Sequence, residues 1–504
     1  MTVGEAANTA VGEADASGAD EQPSAVSDRL ALVAILAVAA ALRLYRLGAD
    51  SLWDNEILSL LRATAPISEV HDLLRAGTHP PLYSQGVLRP WLSAGDSEFM
   101  QRLPSAVFGV ATVAITYVLG RREFGRAVGL LGATMLAISP LHVYYSREGR
   151  MYALLALLVT LWIASLLRAN RDNSWRAWSL YAVVGAAILY THYYAGLTVA
   201  AVLLTTGVLY MTGPEQAGRS KRWLVSSAVI GLLFLPWAPT FVHQFRESSS
   251  NLPGRPILRL PDVITQLFSG FVDVSTLVQI LVLTALATMA TMFVLATRRA
   301  AGTGSSETFA LIVMAGAVLG TVLLAVVISG AKPILYVRYF VGVLPTLCIL
   351  LGIAAVRSRP RIPGIAAYGL LMVVSIACVV PVVTDSWRPD FAAVGDTIAE
   401  RGSESAVVLI VGPDQNDLGL AGFDHYNDSD VPVRMIDSRE GSDAVTTAID
   451  DLDVVPERVW LLRYRATDGS DVPPGFEVTF DEYYDSRFFE RTFPMRLTLL
   501  ESVD

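Results

Sequence analysis

Two carboxylates, Asp54 and Glu56, lie two positions apart in the segment SLWDNEILSL, which directly follows the first long apolar run of the chain. Acidic side chains at the edge of a membrane span are costly, so their presence there indicates a function. A carboxylate can accept the proton of an incoming hydroxyl group as a general base. We therefore expect this pair to be catalytic.

Positive charges lie in two other short segments between the apolar runs. Arg147 and Arg150 belong to HVYYSREGRMYALL (142–155), and Lys332 and Arg338 belong to AKPILYVRYF (331–340). Such groups can bind an anion and neutralise a phosphate leaving group. Together with the carboxylates they suit an enzyme that moves a sugar from a lipid phosphate to a hydroxyl group at a membrane surface.

The apolar runs that separate these segments predict a polytopic α-helical membrane protein. Of the 504 residues, 53% are hydrophobic and 17% are charged. The runs have lengths of about 18 to 23 residues, which is enough to cross a bilayer. We expect about eleven spans, near residues 30–47, 101–121, 126–144, 151–169, 175–191, 194–212, 223–241, 275–297, 308–330, 334–356 and 363–383.

The positions of the arginines and lysines predict the orientation of the chain in the membrane. The loops near residues 121–126, 168–176, 219–222, 298–299 and 357–361 are basic and should be cytoplasmic. Residues 1–28 then form a disordered acidic cytoplasmic tail, and the transmembrane domain covers 29–384, with its first external loop at 48–100. Within that loop, 80–95 is too short and too broken by Pro90 to span, so we expect a helix at the interface.

Residues 385–504 have a different character, because they contain 26 Asp and Glu against 10 Arg and no run long enough to span. DFAAVGDTIAERG and DAVTTAIDDL predict helices, and AVVLIVG and RVWLLRYR predict buried strands. This alternation indicates a soluble extracytoplasmic α/β domain. Cys348 and Cys378 both lie in apolar runs and are expected to be small core residues, not a disulfide.

The ordered set of motifs resembles the GT-C class of integral membrane glycosyltransferases, family 39-like, in the branch of protein O-mannosyltransferases and the aminoarabinose transferase of lipid A. SLWDNEILSL, HPPLY, RLPSAVFGVATVAITYVLGRREFGR, SPLHVYYSREGRMYALLAL, YTHYYAGL and VRYFVGVLP carry the resemblance over residues 40–350. It implies a polyprenyl- or dolichyl-phosphate-linked sugar donor, a hydroxyl acceptor on a protein, lipid or polysaccharide, and inverting transfer at the outer face of the plasma membrane.

The chain departs from the family pattern at the acidic pair. The family has Trp, any residue, Asp, Glu, whereas this chain has Trp53-Asp54-Asn55-Glu56, so that Asn55 stands at the expected Asp position. Asparagine cannot act as a base and could at most orient the acceptor. Three accounts remain open: Asp54 is the base, Glu56 is the base, or the protein is catalytically impaired and only binds a lipid-linked sugar.

The resemblance also implies which residues line the cavity. Besides Asn55, these are His79, Tyr145, Arg147, Arg150, Tyr152, His192, Tyr193, Lys332, Arg338 and Tyr339. Residues 242–274 could cover the cavity as a mobile loop. Asp54, Glu56 and His79 could hold a divalent cation, but the arginines supply similar charge, so no obligatory metal or cofactor is expected. We expect no nucleic-acid partner. A transporter is the remaining alternative, although polar residues gather at span ends and are rare within the spans.

Overall fold

The computed structural model describes residues 25–212, 217–247, 259–300, 306–330, 334–402, 405–412, 418–427, 429, 431–437, 444–452, 456–464, 472–484, 487–488, 491–492 and 495–503. Residues 1–24 of the predicted tail and the predicted site residue Lys332 lie outside this range. So does the segment 248–258 of the predicted mobile loop.

The first part of the chain is helical. In chain order the helices are α1 (Ala25–Leu44), α2 (Asp54–Thr64), α3 (Ile67–Ala76), α4 (Arg89–Trp91), α5 (Glu98–Phe124), α6 (Arg126–Ala137), α7 (Pro140–Ser146), α8 (Tyr152–Asp172), α9 (Trp175–Leu189), α10 (Ala195–Thr212), α11 (Ala217–Phe234), α12 (Ala238–Glu247), α13 (Leu260–Ser269), α14 (Thr276–Ala300), α15 (Ser306–Ser329), α16 (Leu344–Arg357) and α17 (Arg361–Thr384). A 3₁₀-helix over Val337–Val343 leads into α16.

A helix stands at the position of every predicted span. Eight helical segments of the described residues are long and apolar enough to cross a membrane, or nine if the bent pair α6 and α7 is one span. The other two are α1, with 20 residues, and α9, with 15 residues. At about 1.5 Å per residue α9 is shorter than a hydrocarbon core. The fold of a multi-pass membrane protein is confirmed, whereas the number eleven stays a prediction.

The third predicted span is not one straight helix, because α6 and α7 meet at an angle of 62°. Pro140 lacks a backbone N–H and starts α7, and Ser139 caps its N-terminus. Arg43 of α1 donates hydrogen bonds to the carbonyl groups of Ala137, at 3.0 Å, and Leu136, at 3.4 Å. This guanidinium satisfies the carbonyls that the end of α6 leaves free, so the break is stabilised from a neighbouring helix.

The segment 80–95 of the first predicted external loop is helical, as predicted. It consists of a π-helix over Leu82–Leu88, the single turn of α4 and a 3₁₀-turn over Leu92–Ala94. Its position relative to a bilayer stays a prediction.

The C-terminal part is a five-stranded sheet with helices on it, which confirms the predicted α/β character. Its elements are α18 (Phe391–Arg401), β1 (Ala406–Gly412), α19 (Leu418–Tyr426), β2 (Val433–Asp437), α20 (Ala444–Asp450), β3 (Arg458–Arg463), β4 (Phe476–Tyr484), β5 (Arg487–Phe488), β6 (Arg491–Thr492) and β7 (Met495–Ser502). The strand order is β2-β1-β3-β7-β4, and β5 pairs with β6. The four elements predicted from the sequence correspond to α18, β1, α20 and β3.

Alternate residues of the central strands face two apolar layers. Val408 and Trp460 pack with Phe391 of α18 on one face, and Leu409 packs with Val445 of α20 on the other. Strands β1, β2 and β3 are parallel, and β7 joins β3 in the antiparallel direction. Both cysteines are free and buried, as expected.

Candidate functional site

Glu56 is the centre of a buried ion pair. It lies in the first turn of α2 and is fully buried. Arg102, from the first turn of α5, binds both of its carboxylate oxygens, at 2.9 and 2.8 Å. The backbone N–H of Gly149 donates to the same carboxylate at 2.7 Å, and Arg388 reaches it at 3.4 Å. A bidentate, charge-assisted pair of this kind fixes the geometry of both partners.

This environment makes Glu56 a poor base. Burial raises the pKa of the carboxyl group, but the charges of Arg102 and Arg388 outweigh it and hold the pKa at about 2. A general base works best when its pKa lies near the operating pH. In this geometry Glu56 is an anion held by two arginines and a backbone N–H, and the three accounts of the acidic pair stay predictions.

Asp54 is engaged by the C-terminal domain. The hydroxyl group of Tyr464 donates to Asp54 Oδ1 at 2.6 Å, and both residues are buried. Nearby, the backbone N–H of Leu52 donates to the Tyr426 hydroxyl of α19 at 2.6 Å. Asn55, between the two buried carboxylates, is only half-buried. Asp54 thus joins the start of α2 to the C-terminal sheet, a role that the motif did not predict.

We expect Tyr464→Phe to loosen this contact, because it leaves Asp54 Oδ1 buried without its hydroxyl donor, at a cost of about 1–3 kcal/mol. Hydrogen exchange of the amides of α2 should become faster than in the parent protein. Tyr483→Phe, on the exposed face of β4, is the matched control and should leave exchange unchanged. Equal exchange in the two variants would contradict a docking role for Asp54.

The turn between α7 and α8 is held from three sides. In addition to the bond from Gly149 to Glu56, Ser105 of α5 donates to the Arg150 carbonyl at 2.9 Å. Arg388, which follows the last span, donates to the Arg147 carbonyl at 2.8 Å. The side chain of Arg147 itself binds the Leu42 carbonyl at the end of α1. Arg147 therefore caps α1, and the backbone of the turn is held by α2, α5 and the segment after α17.

Arg150 links this turn to the other polar segments. Its guanidinium donates to the Asn55 carbonyl at 2.9 Å and to Ser59 Oγ at 2.8 Å, and it lies 3.4 Å from His79 Nε2. Its Nε is buried and has no hydrogen-bond partner among the described residues. Arg150 is 3% exposed, so its charge acts in surroundings that exclude water.

An aromatic cluster continues from Arg150. The ring of His192 lies between three others, with centroid distances of 5.7 Å to His79, 5.6 Å to Tyr152 and 5.6 Å to Tyr339. Tyr194 stacks on Tyr339 at 3.9 Å. Four separate segments of the chain, predicted to line one cavity, are therefore in contact.

Two further arginines complete the group. Arg338 lies over the rings of Tyr336 and Tyr339, at 5.2 and 5.4 Å from their centroids. Arg62 of α2 lies across Gly77, where a Cβ atom would come within 2.4 Å of the guanidinium. The guanidinium group of Arg62 therefore packs directly against the glycine that ends α3.

The two histidines are neutral in these surroundings. Burial and the charges of Arg150, Arg62 and Arg338 lower the pKa of His79 well below its ordinary value. Burial and the charges of Arg338 and Arg150 lower the pKa of His192 to about 3. The positive charge of the site is therefore that of the three guanidinium groups, which we call the arginine cluster (Arg62, Arg150 and Arg338).

The structure brings together most, but not all, of the predicted binding residues. His79, Tyr145, Arg150, Tyr152, His192, Arg338 and Tyr339 share one site through contacts or electrostatic interactions. Tyr193 binds Gln244 and Trp237 near α12 and interacts electrostatically with Arg62 of the site, whereas Arg147 caps α1 instead. The metal set of Asp54, Glu56 and His79 does not form, and no three His, Cys, Asp or Glu side chains of the described residues come together as a metal site.

Sequence reasoning missed four residues of this region: Arg62, Arg102, Glu148 and Arg388. Arg102 had a usable signal, since it lies in the first turn of an apolar helix, where a charge is costly. Glu148 lies in the sequence between Arg147 and Arg150, two predicted site residues, and this position was a signal for it.

A known protein family matches the part of the chain that contains several of these site residues. Residues 79–239 match the model of the dolichyl-phosphate-mannose-protein mannosyltransferase family. The matched segment is shorter than half of the chain and includes His79, Arg150, Tyr152 and His192. A search of curated protein sequences finds no significant match.

Solved structures share the fold over most of the chain. ArnT from Cupriavidus metallidurans in the apo state has a TM-score of 0.55 and 15% identity, over 94% of this chain and 98% of that protein. The same protein bound to undecaprenyl phosphate has a TM-score of 0.52, with the same identity and coverage. The oligosaccharyltransferase AglB from Archaeoglobus fulgidus, in complex with an inhibitory peptide and a dolichol-phosphate, has a TM-score of 0.51 and 11% identity, over 86% and 69% of the two chains. The predicted resemblance to GT-C glycosyltransferases is confirmed.

Proposed function

We propose that this chain transfers a sugar from a polyprenyl- or dolichyl-phosphate carrier to a hydroxyl group of a protein, lipid or polysaccharide acceptor, with inversion. The observation that carries the proposal is the arginine cluster, which surrounds two neutral histidines at one end of the helical bundle. Positive groups that are fixed in a water-poor site stabilise the charge that develops on a phosphate leaving group. The family match and the ArnT-like fold support the same class of enzyme.

The proposed location of the site is the outer face of the plasma membrane, with the N-terminus in the cytoplasm and the C-terminal domain outside. At the opposite end of the helices, basic residues of the predicted cytoplasmic loops pair with acidic ones. Arg171 binds Glu123 at 2.7 Å, and Arg357 binds Glu307. The positive-inside rule places that end in the cytoplasm.

In this proposal the arginine cluster supplies the positive charge that a divalent cation would otherwise provide, so the enzyme needs no obligatory metal. Arg150 and Arg62 would hold the phosphate near α2, and Arg338 would hold it near the aromatic cluster. Tyr152, His192 and Tyr339 offer ring faces and polar groups to the sugar.

Binding of undecaprenyl phosphate to the purified protein in detergent tests the phosphate site. Removing one charge-assisted contact costs about 1.5–3 kcal/mol, so Arg62→Gln and Arg338→Gln should each weaken binding roughly 10- to 100-fold. Arg75→Gln, on the exposed face of the neighbouring helix α3, is the matched control and should bind as the parent protein does. The phosphate site is wrong if all three variants bind equally well.

A further inference from the structure

One buried carboxylate has no role in the network around Glu56. Glu148 lies in the turn between α7 and α8 and is 1% exposed. Its Oε2 atom is buried and accepts no hydrogen bond from any residue that the structure describes. Nearly all buried polar atoms of folded proteins have a partner, so an exception at a site of this kind calls for a functional explanation.

The surroundings of Glu148 belong to the proposed site. The titratable and charged groups that interact with it come from every element around the turn: Glu56 of α2, Tyr83 of the π-helix, Tyr144 and Tyr145 of α7, Arg150 of the turn itself, Tyr152 of α8, Arg338 of the 3₁₀-helix and Arg388 after α17. Glu148 thus interacts electrostatically both with Glu56 and with Arg150 and Arg338 of the arginine cluster. It has no bidentate arginine partner among the described residues, in contrast to Glu56.

Two glutamates of one region therefore differ in proton affinity. Burial raises the pKa of Glu148 to about 7, and the neighbouring arginines only partly offset this effect. Arg102 and Arg388 hold the pKa of Glu56 at about 2. When the surroundings move the pKa values of two carboxyl groups apart, the two groups have different chemical roles. The group that titrates near neutral pH is the one that can exchange a proton during turnover.

We propose that Glu148 is the general base that takes the proton of the acceptor hydroxyl group, in place of the acidic pair at Asp54 and Glu56. This inference rests on the proposed function. It gives a catalytic carboxylate to a chain in which Asn55, within the acidic segment, cannot act as a base. It also explains why Asp54 and Glu56 can both be committed to structural contacts.

The step balances as follows. The Glu148 carboxylate accepts the hydroxyl proton while the acceptor oxygen forms a bond to the anomeric carbon of the sugar. The bond between that carbon and the phosphate oxygen breaks, and its electron pair leaves with the lipid phosphate. The arginine cluster binds the additional negative charge on this phosphate. Glu148 then returns its proton to water.

Because Glu148 is closed from solvent, acceptor binding has to open a path to it. Opening and closing around the substrate is common in transferases, since it excludes water from the reacting sugar. Trp387 packs edge-on against Tyr144 at 6.4 Å and follows the last span, directly before the C-terminal domain. A movement of that domain could uncover the turn.

The test compares Glu148→Gln with Glu69→Gln, a matched change on the exposed face of α3. With a synthetic polyprenyl-phosphate sugar as donor, Glu148→Gln should lower kcat at least about 100-fold, the range of general base catalysis. It should still bind undecaprenyl phosphate, which shows that the variant is folded. Glu69→Gln should keep full activity.

The pH profile of the parent protein provides a second readout that does not depend on the folding of any variant. The kcat should rise with pH through about 7, because only the carboxylate form of Glu148 accepts a proton. His79 and His192 stay neutral over that range, and a phosphodiester donor does not titrate there.

Different results identify which claim fails. A Glu148→Gln variant with parental kcat, or a parental profile that is flat between pH 5 and 8, would overturn the role of Glu148 and leave the proposed function intact. No transfer by the parent protein from any polyprenyl-phosphate sugar would instead overturn the proposed function and, with it, this inference.

Discussion

Arg102→Met should lower the free energy of unfolding by about 3–5 kcal/mol, the cost of leaving a buried charge without its partner. The reason is the number of contacts that this one side chain makes. Besides both oxygens of Glu56, it donates to the carbonyl groups of Leu47, Asp50 and Ser51, at 2.8–3.1 Å. The variant therefore removes the bidentate partner of a buried carboxylate and the donor to three carbonyls of the segment that leads into α2.

Denaturant unfolding in detergent micelles, followed by tryptophan fluorescence, measures this effect. Arg122→Met removes an exposed arginine from the other end of the same helix and should change stability by less than about 0.5 kcal/mol. The double variant Arg102→Met with Glu56→Gln should recover part of the loss, because no unpaired carboxylate then remains. Parental stability of Arg102→Met would contradict the anchoring role of this pair.

The Glu56 pair should also make stability depend on pH. Its folded-state pKa, about 2, lies below the ordinary value of 4.5. The stabilisation is therefore present above about pH 4.5 and is lost as the pH falls towards 2. The stability difference between the parent protein and Glu56→Gln should shrink over that interval.

Arg150→Met should lower kcat/KM for sugar transfer on the order of 1000-fold, the upper range for removing one group that stabilises transition-state charge. Arg150 belongs to the arginine cluster and also connects Asn55, Ser59 and His79. Its loss would remove charge at the phosphate and release α2 from the turn. Arg150→Lys should recover only a small part, since an ammonium group cannot reproduce the planar set of donors.

The control for the activity assay is a second variant that also replaces one arginine with methionine. Arg168 lies in the last turns of α8, the helix that follows the turn of Arg150, and its pair with Asp172 is largely exposed. Arg168→Met should retain parental activity. If Arg150→Met and Arg168→Met have the same kcat/KM, Arg150 does not act in transfer.

The helical fold could be predicted from the sequence because bilayer-length apolar runs depend on local composition. For the same reason the helix over 80–95 and the elements α18, β1, α20 and β3 were predictable from local periodicity. The bend between α6 and α7 was not, although Pro140 marks its position. It depends on Arg43, a side chain that lies 94 residues from the carbonyl group it binds.

The site was predictable only in part. His79, Arg150, His192 and Arg338 stood out because polar residues at span ends are unusual, and they do come together. The roles of the carboxylates could not be read in this way. Asp54 binds Tyr464, which lies 410 residues further along the chain. Glu56 binds Arg102 and Gly149, which only the tertiary fold brings close to it. Glu148 differs from Glu56 only in its surroundings, and these come from seven separate parts of the chain.

Mass spectrometry of polyprenyl-phosphate sugars and surface glycans is the most direct test of the central claim. It should compare cells that lack the protein with cells restored by the parent protein or by Arg150→Met. We expect one lipid-linked sugar to accumulate without the protein, to be cleared by the parent protein alone, and to identify the donor. An unchanged pool of lipid-linked sugars and unchanged glycans in all three strains would contradict transfer from a lipid phosphate.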